Sequence, residues 1–278
     1  MLYPTLAGLA RPLFGADGVA WAMAGLNVLA FGVGAGATAV VARQHGASAL
    51  WGLAFPLNPG VLFELHIDGG GALALAALMV GVAALKRQSP WPAALAFIAA
   101  VLAREVMMLS VLGLAIAKWV GPVSRRLKIA LAPFAAAVLW RIYVEIRLGD
   151  LPGGRAVQEI GLPLKGFVGA FERWLEDPDL SMVLGVFYLL ASLVMISRAL
   201  RLRTVLELPA AGFALLAPLL TELVWLQYFD ISRALSPIPT FLALSLAVSI
   251  SAPGDRGTAA DEPVDVTSRR RFDAADGR

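Results

Sequence analysis

Apolar runs of about twenty residues recur along most of this 278-residue chain and constrain its fold more than any other feature. A helix of that length crosses the hydrocarbon core of a bilayer and satisfies its own backbone hydrogen bonds there. Hydrophobic residues make up 59% of the chain and charged residues 15%, which is typical of a membrane protein. The runs are Val19–Val41, Ser48–His66, Gly70–Leu85, Trp91–Trp119, Leu127–Ile146, Ser181–Ile196, Val205–Trp225 and Arg233–Ile250. We predict an all-α polytopic membrane protein with about 8–9 transmembrane helices over residues 1–250.

Proline interrupts two of these runs. The second run contains Leu57-Asn58-Pro59-Gly60, where proline removes a backbone donor and glycine relaxes the chain, so a broken helix is expected. The last run carries Pro237 and Pro239 and is expected to be kinked near its start. Some of the transmembrane helices should therefore be short or broken.

The cysteine, histidine and charge content excludes several kinds of site. The chain has no cysteine, so neither a disulfide framework nor a cysteine metal site is available. The two histidines, His45 and His66, are too few for a histidine-based metal cage. The formal net charge of +3 is mild and does not indicate nucleic-acid binding. No metal site is predicted from these residues.

The basic clusters orient the chain, because lysine and arginine near the ends of spans favour the cytoplasmic side. They are Arg43, Lys86–Arg87, Arg125–Arg126 with Lys128, Arg198 with Arg201 and Arg203, and Arg269–Arg271. Most successive clusters are separated by two spans and so share one side. The run Trp91–Trp119 breaks this parity, and at about 29 residues it is longer than one perpendicular span needs. We predict two short helices with a tip at Arg104–Glu105, and a single strongly tilted helix is the alternative.

This arrangement collects most of the ionisable residues of the apolar runs on the extracytoplasmic face. They are Asp68, Arg104–Glu105, the loop Arg147–Glu176 and Gln227–Arg233. Charges set in apolar runs are costly and usually mark a functional site. The polar residues 251–278 are then a disordered cytoplasmic tail. The N-terminus falls outside, so we expect at least one further span upstream of this sequence.

The predicted outer loop, at about residues 148–180, contains an amphipathic pattern. Apolar residues recur at helical spacing from Leu164 to Leu175, and Lys165, Glu172 and Arg173 fall among them. The pattern predicts an amphipathic helix. It either lies on the outer membrane interface or packs as a lid over the bundle.

Several short segments resemble, in order and spacing, those of the GT-C superfamily of membrane glycosyltransferases. They are Phe55-Pro-Leu-Asn-Pro-Gly60 followed by Asp68, Leu102-Ala-Arg-Glu105, Gly161-Leu-Pro-Leu-Lys-Gly166, and Phe229-Asp-Ile-Ser-Arg-Ala-Leu-Ser-Pro237. The chain is most similar to the bacterial mannosyltransferase-like members, over roughly Leu2 to Pro237. The resemblance implies a GT-C-like helical bundle in the bacterial inner (plasma) membrane.

The resemblance also implies a reaction, in which a sugar moves from a polyprenyl phosphate to an acceptor hydroxyl on the extracytoplasmic face. A carboxylate would accept the hydroxyl proton, and cationic side chains would stabilise the departing lipid phosphate. Arg104 and Arg233 are the candidates for phosphate contact, with Glu105 as a further substrate-binding residue. Asp68 and Asp230 are the catalytic candidates, contacting acceptor or sugar hydroxyls or a divalent cation.

Two departures from the family pattern affect this assignment. In such families an acidic residue commonly follows the Asp68 position closely, and here that stretch is Gly69–Gly71. The family's catalytic aspartate lies in the first extracytoplasmic loop, and the segment from Leu2 resembles the part just beyond that loop. We therefore expect the main catalytic base to be absent from this chain.

Each candidate residue also has a purely structural interpretation. Arg104 and Glu105 are adjacent, so on a helix they point about 100° apart and do not simply pair with each other. Arg104 could instead form an ion pair between helices with Asp68 or Asp230. Asp230, spaced i,i+3 from Arg233, could cap a helix, and Asp68 could end a span in a turn.

Two further ionisable positions fall within the apolar runs. Arg141 and Glu145 are spaced i,i+4 and are expected to pair locally. Glu222 lies in an apolar run with no cation near it in the sequence. It either lines the cavity as a substrate-binding residue or pairs with Arg141 or Arg233.

Two other functions compete with the enzyme. Broken helices are also typical of transporters, so a transporter or lipid-handling protein without chemistry is the first alternative. The missing first loop favours the second, a truncated relative that folds but does not catalyse.

Overall fold

The computed structural model describes residues 2–66, 69–117, 123–148 and 160–251, and within these ranges the protein is all-helical. The α-helices are α1 (Leu2–Gly8), α2 (Arg11–Gln44), α3 (Pro59–His66), α4 (Gly71–Lys86), α5 (Pro90–Ala103), α6 (Met108–Ile116), α7 (Val123–Leu148), α8 (Lys165–Glu176), α9 (Leu180–Leu202), α10 (Leu208–Leu216), α11 (Glu222–Leu226), α12 (Tyr228–Ala234) and α13 (Pro237–Ser251). Shorter 3-10 helices cover Ala49–Ala54, Glu105–Met107 and Ala217–Leu219. The described ranges contain no β-strand, and an isolated bridge joins Ile160 to Leu220. The predicted tail lies outside the described residues from position 252 onward.

Three helical stretches are long and apolar enough to cross a membrane: Asp17–Gln44, Leu127–Arg147 and Leu180–Leu202. The pair α12–α13 becomes a fourth if its two helices form one span. The other apolar helices are shorter. Helix α4, with 16 residues, is about 24 Å long, against about 30 Å for the hydrocarbon core. Length and composition thus assign fewer crossings than the about 8–9 that the sequence predicts.

One end of the bundle gathers the basic residues. At the C-terminus of α4 the Gln44 Nε2 donates to the Ala83 carbonyl oxygen over 3.2 Å, which holds the C-termini of α2 and α4 side by side. Burial lowers the pKa of His45, which directly follows α2. The charges of Lys86 and Glu207 also act on this pKa, so both side chains lie near His45. We call this the basic end, because the basic clusters of α2, α4 and α9 lie there.

The opposite end is where α4 begins and α5 finishes. A methyl group on Gly70 would lie 3.3 Å from the Ala103 carbonyl oxygen, so the two helix termini are adjacent. Arg104 follows directly, and its guanidinium donates to the Arg233 carbonyl oxygen. We call this the site end. Helix α5 therefore runs from the basic end to the site end.

Helix α6 leads back to the basic end. Its Ser110 hydroxyl donates to the Pro209 carbonyl oxygen over 2.9 Å, and Gly113 packs against Leu208, the neighbour of Glu207. The chain thus reverses at Arg104–Glu105, which confirms the predicted tip over the single tilted helix. The two arms are splayed, since α5 and α6 both pack against α7 rather than broadly against each other.

Both runs that contain an early proline are broken, as predicted. The second run folds as the first 3-10 helix followed by α3, and the last run begins in the final residues of α12 and continues as α13 after a bend of 59°. The buried Asn58 joins the two breaks, donating from Nδ2 to the Ser236 carbonyl oxygen at 2.5 Å and to the Thr240 hydroxyl at 2.9 Å. Glycine is needed beside it, because a side chain at Gly60 would collide with the Ser232 carbonyl.

Helix α8 occupies the predicted outer loop, as the apolar spacing there indicates. Its buried residues Gly166, Ala170 and Trp174 face the bundle, where α8 packs against α11. The Trp174 Nε1 donates to the Ser181 hydroxyl over 3.0 Å and ties α8 to the start of α9. On its other side Leu175 is 67% exposed. The helix therefore covers the bundle as a lid and also presents apolar side chains outward.

Candidate functional site

A buried carboxylate, Glu64 of α3, is the centre of the charged cluster at the site end. Its side chain is 1% exposed. Oε1 accepts a hydrogen bond from the Arg233 Nε at 3.0 Å and lies 3.6 Å from the Arg104 Nη1. Oε2 accepts from the Gly71 backbone N–H over 2.9 Å. Both oxygens are engaged, as a buried charge requires.

The glycine run after α3 makes room for this carboxylate. A side chain at Gly69 or Gly71 would collide with the Glu64 carboxylate. The GT-C pattern has an acidic residue in this stretch that is missing here, and the structure brings a carboxylate there from the preceding helix. Asp68, the predicted catalytic residue beside the run, lies outside the described residues.

Arg104 reaches the cluster because it ends α5 in an extended conformation, with φ −153° and ψ 110°. This conformation stops the helix, and the Arg104 Nη1 donates to the Arg233 carbonyl oxygen across the site end over 2.5 Å. The carboxylate with which it pairs among the described residues is Glu64, rather than the predicted Asp230. The pairing follows from the approach of α3, which no local sequence pattern reports.

Asp230 and Arg233 lie one turn apart on α12 and pair as their i,i+3 spacing predicts. The Arg233 Nη1 is 3.5 Å from the Asp230 Oδ1, and the two side chains are 32% and 33% exposed. The suggestion that Asp230 caps this helix is wrong, because α12 begins at Tyr228 and its N-cap residue is Gln227. Asp230 already lies inside the first turn. Its carboxylate is thus partly accessible beside a guanidinium.

Two predicted substrate-binding residues, Glu105 and Glu222, form ion pairs outside this cluster. Glu105 is 59% exposed and lies 3.9 Å from Arg141 of α7, so the predicted local pair of Arg141 with Glu145 is not the ion pair that forms. Glu222 pairs with Arg173 of α8 at 2.7 Å, and with neither of the cations predicted for it. In both cases helix packing brings a cation that is distant in sequence closer than the expected partner.

The cluster combines two guanidinium groups with the buried carboxylate of Glu64 and the partly exposed carboxylate of Asp230. The side chains of Arg104 and Arg233 are 22% and 32% exposed, so both are partly accessible, whereas Glu64 is not. A guanidinium presents several N–H donors in a planar fork that matches phosphate oxygens. Because both guanidinium groups are partly accessible, they are suited to contact an anionic ligand, and phosphate is the chemistry they match best.

Among the described residues, no group of three or more histidine, cysteine, aspartate or glutamate side chains is arranged to hold a metal ion. Glu64 and Asp230 each contact Arg233. The guanidinium thus acts as the cation between the two carboxylates of the cluster.

Glu64 is the residue that the sequence analysis missed. Its signal was the same as that of the residues singled out, an acidic side chain inside the apolar run Ser48–His66. The same signal marks Glu207, which is 2% exposed at the basic end.

No protein-family model, curated protein or solved structure matches this chain. The resemblance to the GT-C superfamily therefore rests on the quoted segments alone. Parts of those segments meet in space: Gly60 packs on Ser232, Asn58 bonds to Ser236, and Arg104 bonds to Arg233.

Proposed function

We propose that this chain is a polytopic protein of the bacterial inner membrane that transfers a sugar from a polyprenyl-phosphate donor to an acceptor hydroxyl. In this proposal the chain forms a GT-C-like bundle and crosses the membrane about 8–9 times between the basic end and the site end. Some of the crossing helices are short or broken. The basic end and the tail are cytoplasmic, and the site end is extracytoplasmic. The shared location of the basic clusters of α2, α4 and α9 supports this orientation.

The observation that carries the proposal is the convergence of Arg104 and Arg233 on the buried Glu64 at the site end. These residues come from helices far apart in the sequence. Two guanidinium groups held close together repel each other, and the buried carboxylate of Glu64 offsets this repulsion. An anionic substrate that enters the cluster would gain from the same pair of cations.

In the proposed reaction, Arg104 and Arg233 bind the phosphate of the donor, and Glu64 positions both side chains. The acceptor oxygen attacks the anomeric carbon while a carboxylate takes its proton. Among the described residues Asp230, partly exposed beside Arg233, is our candidate for this base, in place of the catalytic aspartate of the GT-C pattern. The bond between the anomeric carbon and the phosphate oxygen breaks, and the electron pair leaves with the lipid phosphate, whose charge the two arginines stabilise. Asp68 is the second candidate for the carboxylate.

An in vitro transfer assay with polyprenyl-phosphate sugars in proteoliposomes tests this proposal. We expect Asp230→Asn to reduce transfer by about 10²-fold or more, the range for loss of a general base. Arg233→Lys keeps the charge but loses the fork and is expected to reduce transfer by about tenfold. The matched control is Arg141→Lys, which changes an exposed arginine of the same end and leaves transfer unchanged.

Two results would sink the enzyme. One is the absence of transfer from any polyprenyl-phosphate sugar with folded protein that includes any segment encoded upstream. The other is transfer that Asp230→Asn and Arg233→Lys leave intact. Because substitutions in the cluster could unfold the protein, each variant is compared at equal amounts of folded protein, measured by thermal unfolding.

A transporter or lipid-handling protein without chemistry is the second candidate. It is favoured by the meeting of two broken helices at Asn58, since discontinuous helices form binding sites in transporters. The chain has no cysteine, so single cysteines can be introduced at Asp230 and Arg104 without a background. Labelling of both positions from both sides of the membrane favours transport, and labelling from one side only favours the enzyme.

A further inference from the structure

A charged cavity lies at the basic end, away from the Glu64 cluster. It has a volume of about 530 Å³ and is lined by Val40, Arg43, Gln44, Lys86 and Arg87. The cavity forms where α2 and α4 end side by side, held by the hydrogen bond between Gln44 and the Ala83 carbonyl. Its cationic residues come from both helices, so the packing of α2 on α4 determines their spacing.

The cavity is strongly cationic. Arg43, Lys86 and Arg87 all line it, and no carboxylate is among the lining residues. Arg43 and Arg87 are exposed, whereas Lys86 is half-buried. An anion that enters the cavity is attracted by all three of these charges. The two guanidinium groups and the ammonium are the side chains that most often contact phosphate.

An apolar stripe on α2 leads to this cavity. Leu29, Val33 and Val40 are spaced i, i+4 and i+11, which places them on one face of the helix. Leu29 is 60% exposed and Val33 is 43% exposed, and Val40 lines the cavity itself. A molecule with a phosphate in the cavity would therefore have apolar surface beside it along α2. A free phosphate ion has no apolar part that could contact this surface.

We propose that this cavity binds the phosphate headgroup of an anionic phospholipid, with an acyl chain lying along the Leu29–Val40 stripe. Clusters of cations between helices on the cytoplasmic side are suited to such headgroups. The site is separate from the Glu64 cluster and does not depend on the proposed transfer reaction. It assigns the basic end a role in lipid binding beyond orienting the chain.

The test compares thermal unfolding of the full chain in phosphatidylcholine nanodiscs with and without phosphatidylglycerol. We expect phosphatidylglycerol to raise the unfolding midpoint of the wild type. The variant Arg43→Gln/Lys86→Gln/Arg87→Gln should lose this rise. The matched control, Lys128→Gln/Arg201→Gln/Arg203→Gln, removes the same charge from exposed positions outside the cavity and should keep it.

Native mass spectrometry of the same proteins counts retained phosphatidylglycerol directly. The single variant Arg87→Gln, at an exposed position, guards against misfolding of the triple variant and should weaken binding about fivefold. An equal rise in the midpoint for both triple variants would mean general surface electrostatics and would overturn the site. If inorganic phosphate in detergent raised the unfolding midpoint of the wild type by the same amount, the ligand would be free phosphate. That result would overturn the proposal that the ligand is a phospholipid.

Discussion

Two buried glutamates lie at opposite ends of the bundle and differ in their partners. Glu64 at the site end meets two guanidinium groups and a backbone N–H. Glu207 at the basic end meets one guanidinium, Arg198 at 3.9 Å, and accepts hydrogen bonds from the hydroxyls of Thr204 and Ser245. One carboxylate is shared between cations, and the other is held mainly by neutral hydroxyls.

The difference shows how the same kind of buried charge serves two purposes. The partners of Glu207 also bond to one another. Arg198 donates to the side chain of Ser249 and to both the side chain and the carbonyl oxygen of Ser245. Around Glu64 the two arginines are partly exposed, and Arg233 also pairs with the partly exposed Asp230. A closed network of buried partners stabilises a fold, whereas a network whose charged side chains are partly exposed can also contact a ligand.

The largest predicted effect separates the two glutamates directly. Glu64→Gln leaves two guanidinium groups without their buried counter-ion and is expected to lower the free energy of unfolding by about 3–5 kcal/mol. Glu207→Gln should cost less, about 1–3 kcal/mol, because an amide can still accept hydrogen bonds from the hydroxyls. Denaturant unfolding in detergent measures both values. A larger loss for Glu207→Gln would break the comparison.

Substituting one arginine at each end should separate stability from activity. Arg198 donates to the Ser245 hydroxyl at 2.7 Å and to the Ser249 hydroxyl at 2.6 Å. Arg198→Lys cannot reproduce this fork and is expected to cost about 1.5–3 kcal/mol of stability, while transfer per folded molecule stays unchanged. Arg233→Lys should reduce transfer more than stability. Reduced transfer for both variants at equal amounts of folded protein would contradict the distinction.

The junction beneath the site end is the next test. Asn58→Ala removes the donor shared by Ser236 and Thr240 and is expected to cost about 1–3 kcal/mol, because the buried acceptors lose their partner. Asn27 is the matched control, as it is equally buried and its amide has no hydrogen-bond partner among the described residues. Asn27→Leu should be neutral or stabilising. Similar losses at both positions would show that polar burial alone, rather than the junction, matters.

The smallest effect is expected at the tip of the hairpin. Glu105 and Arg141 lie 3.9 Å apart and are 59% and 52% exposed, so their ion pair is screened and contributes little. Glu105→Gln should change the free energy of unfolding by less than about 0.5 kcal/mol. A loss comparable with that of Glu64→Gln would mean that the charged cluster around Glu64 includes Glu105 and Arg141.

Several features of the fold could be predicted from the sequence because their causes are local. Proline disrupts a helix through its own ring and its missing N–H, and both predicted interruptions are present at Asn58 and before Pro237, whereas Pro133 is accommodated inside α7. The reversal at Arg104–Glu105 followed from charge parity and from a run too long for one span.

The candidate site could be predicted only in part. Asp230 and Arg233 pair one turn apart on the same helix, so their spacing was sufficient. Glu64 joins Arg104 and Arg233 across helices from distant parts of the chain, and the sequence carries no signal of that contact. The same is true of the pair between Arg173 and Glu222.

The sequence by itself determined a helical chain with apolar runs, their interruptions, and a set of costly charges within them. Those properties depend on hydropathy, on proline and on residues within one helical turn. Tertiary structure decided which charges meet, because an ion pair between helices depends on crossing positions to within a few ångströms. Tertiary structure brought Arg104 and Arg233 together on the buried carboxylate of Glu64, and no single run of the sequence specifies that contact.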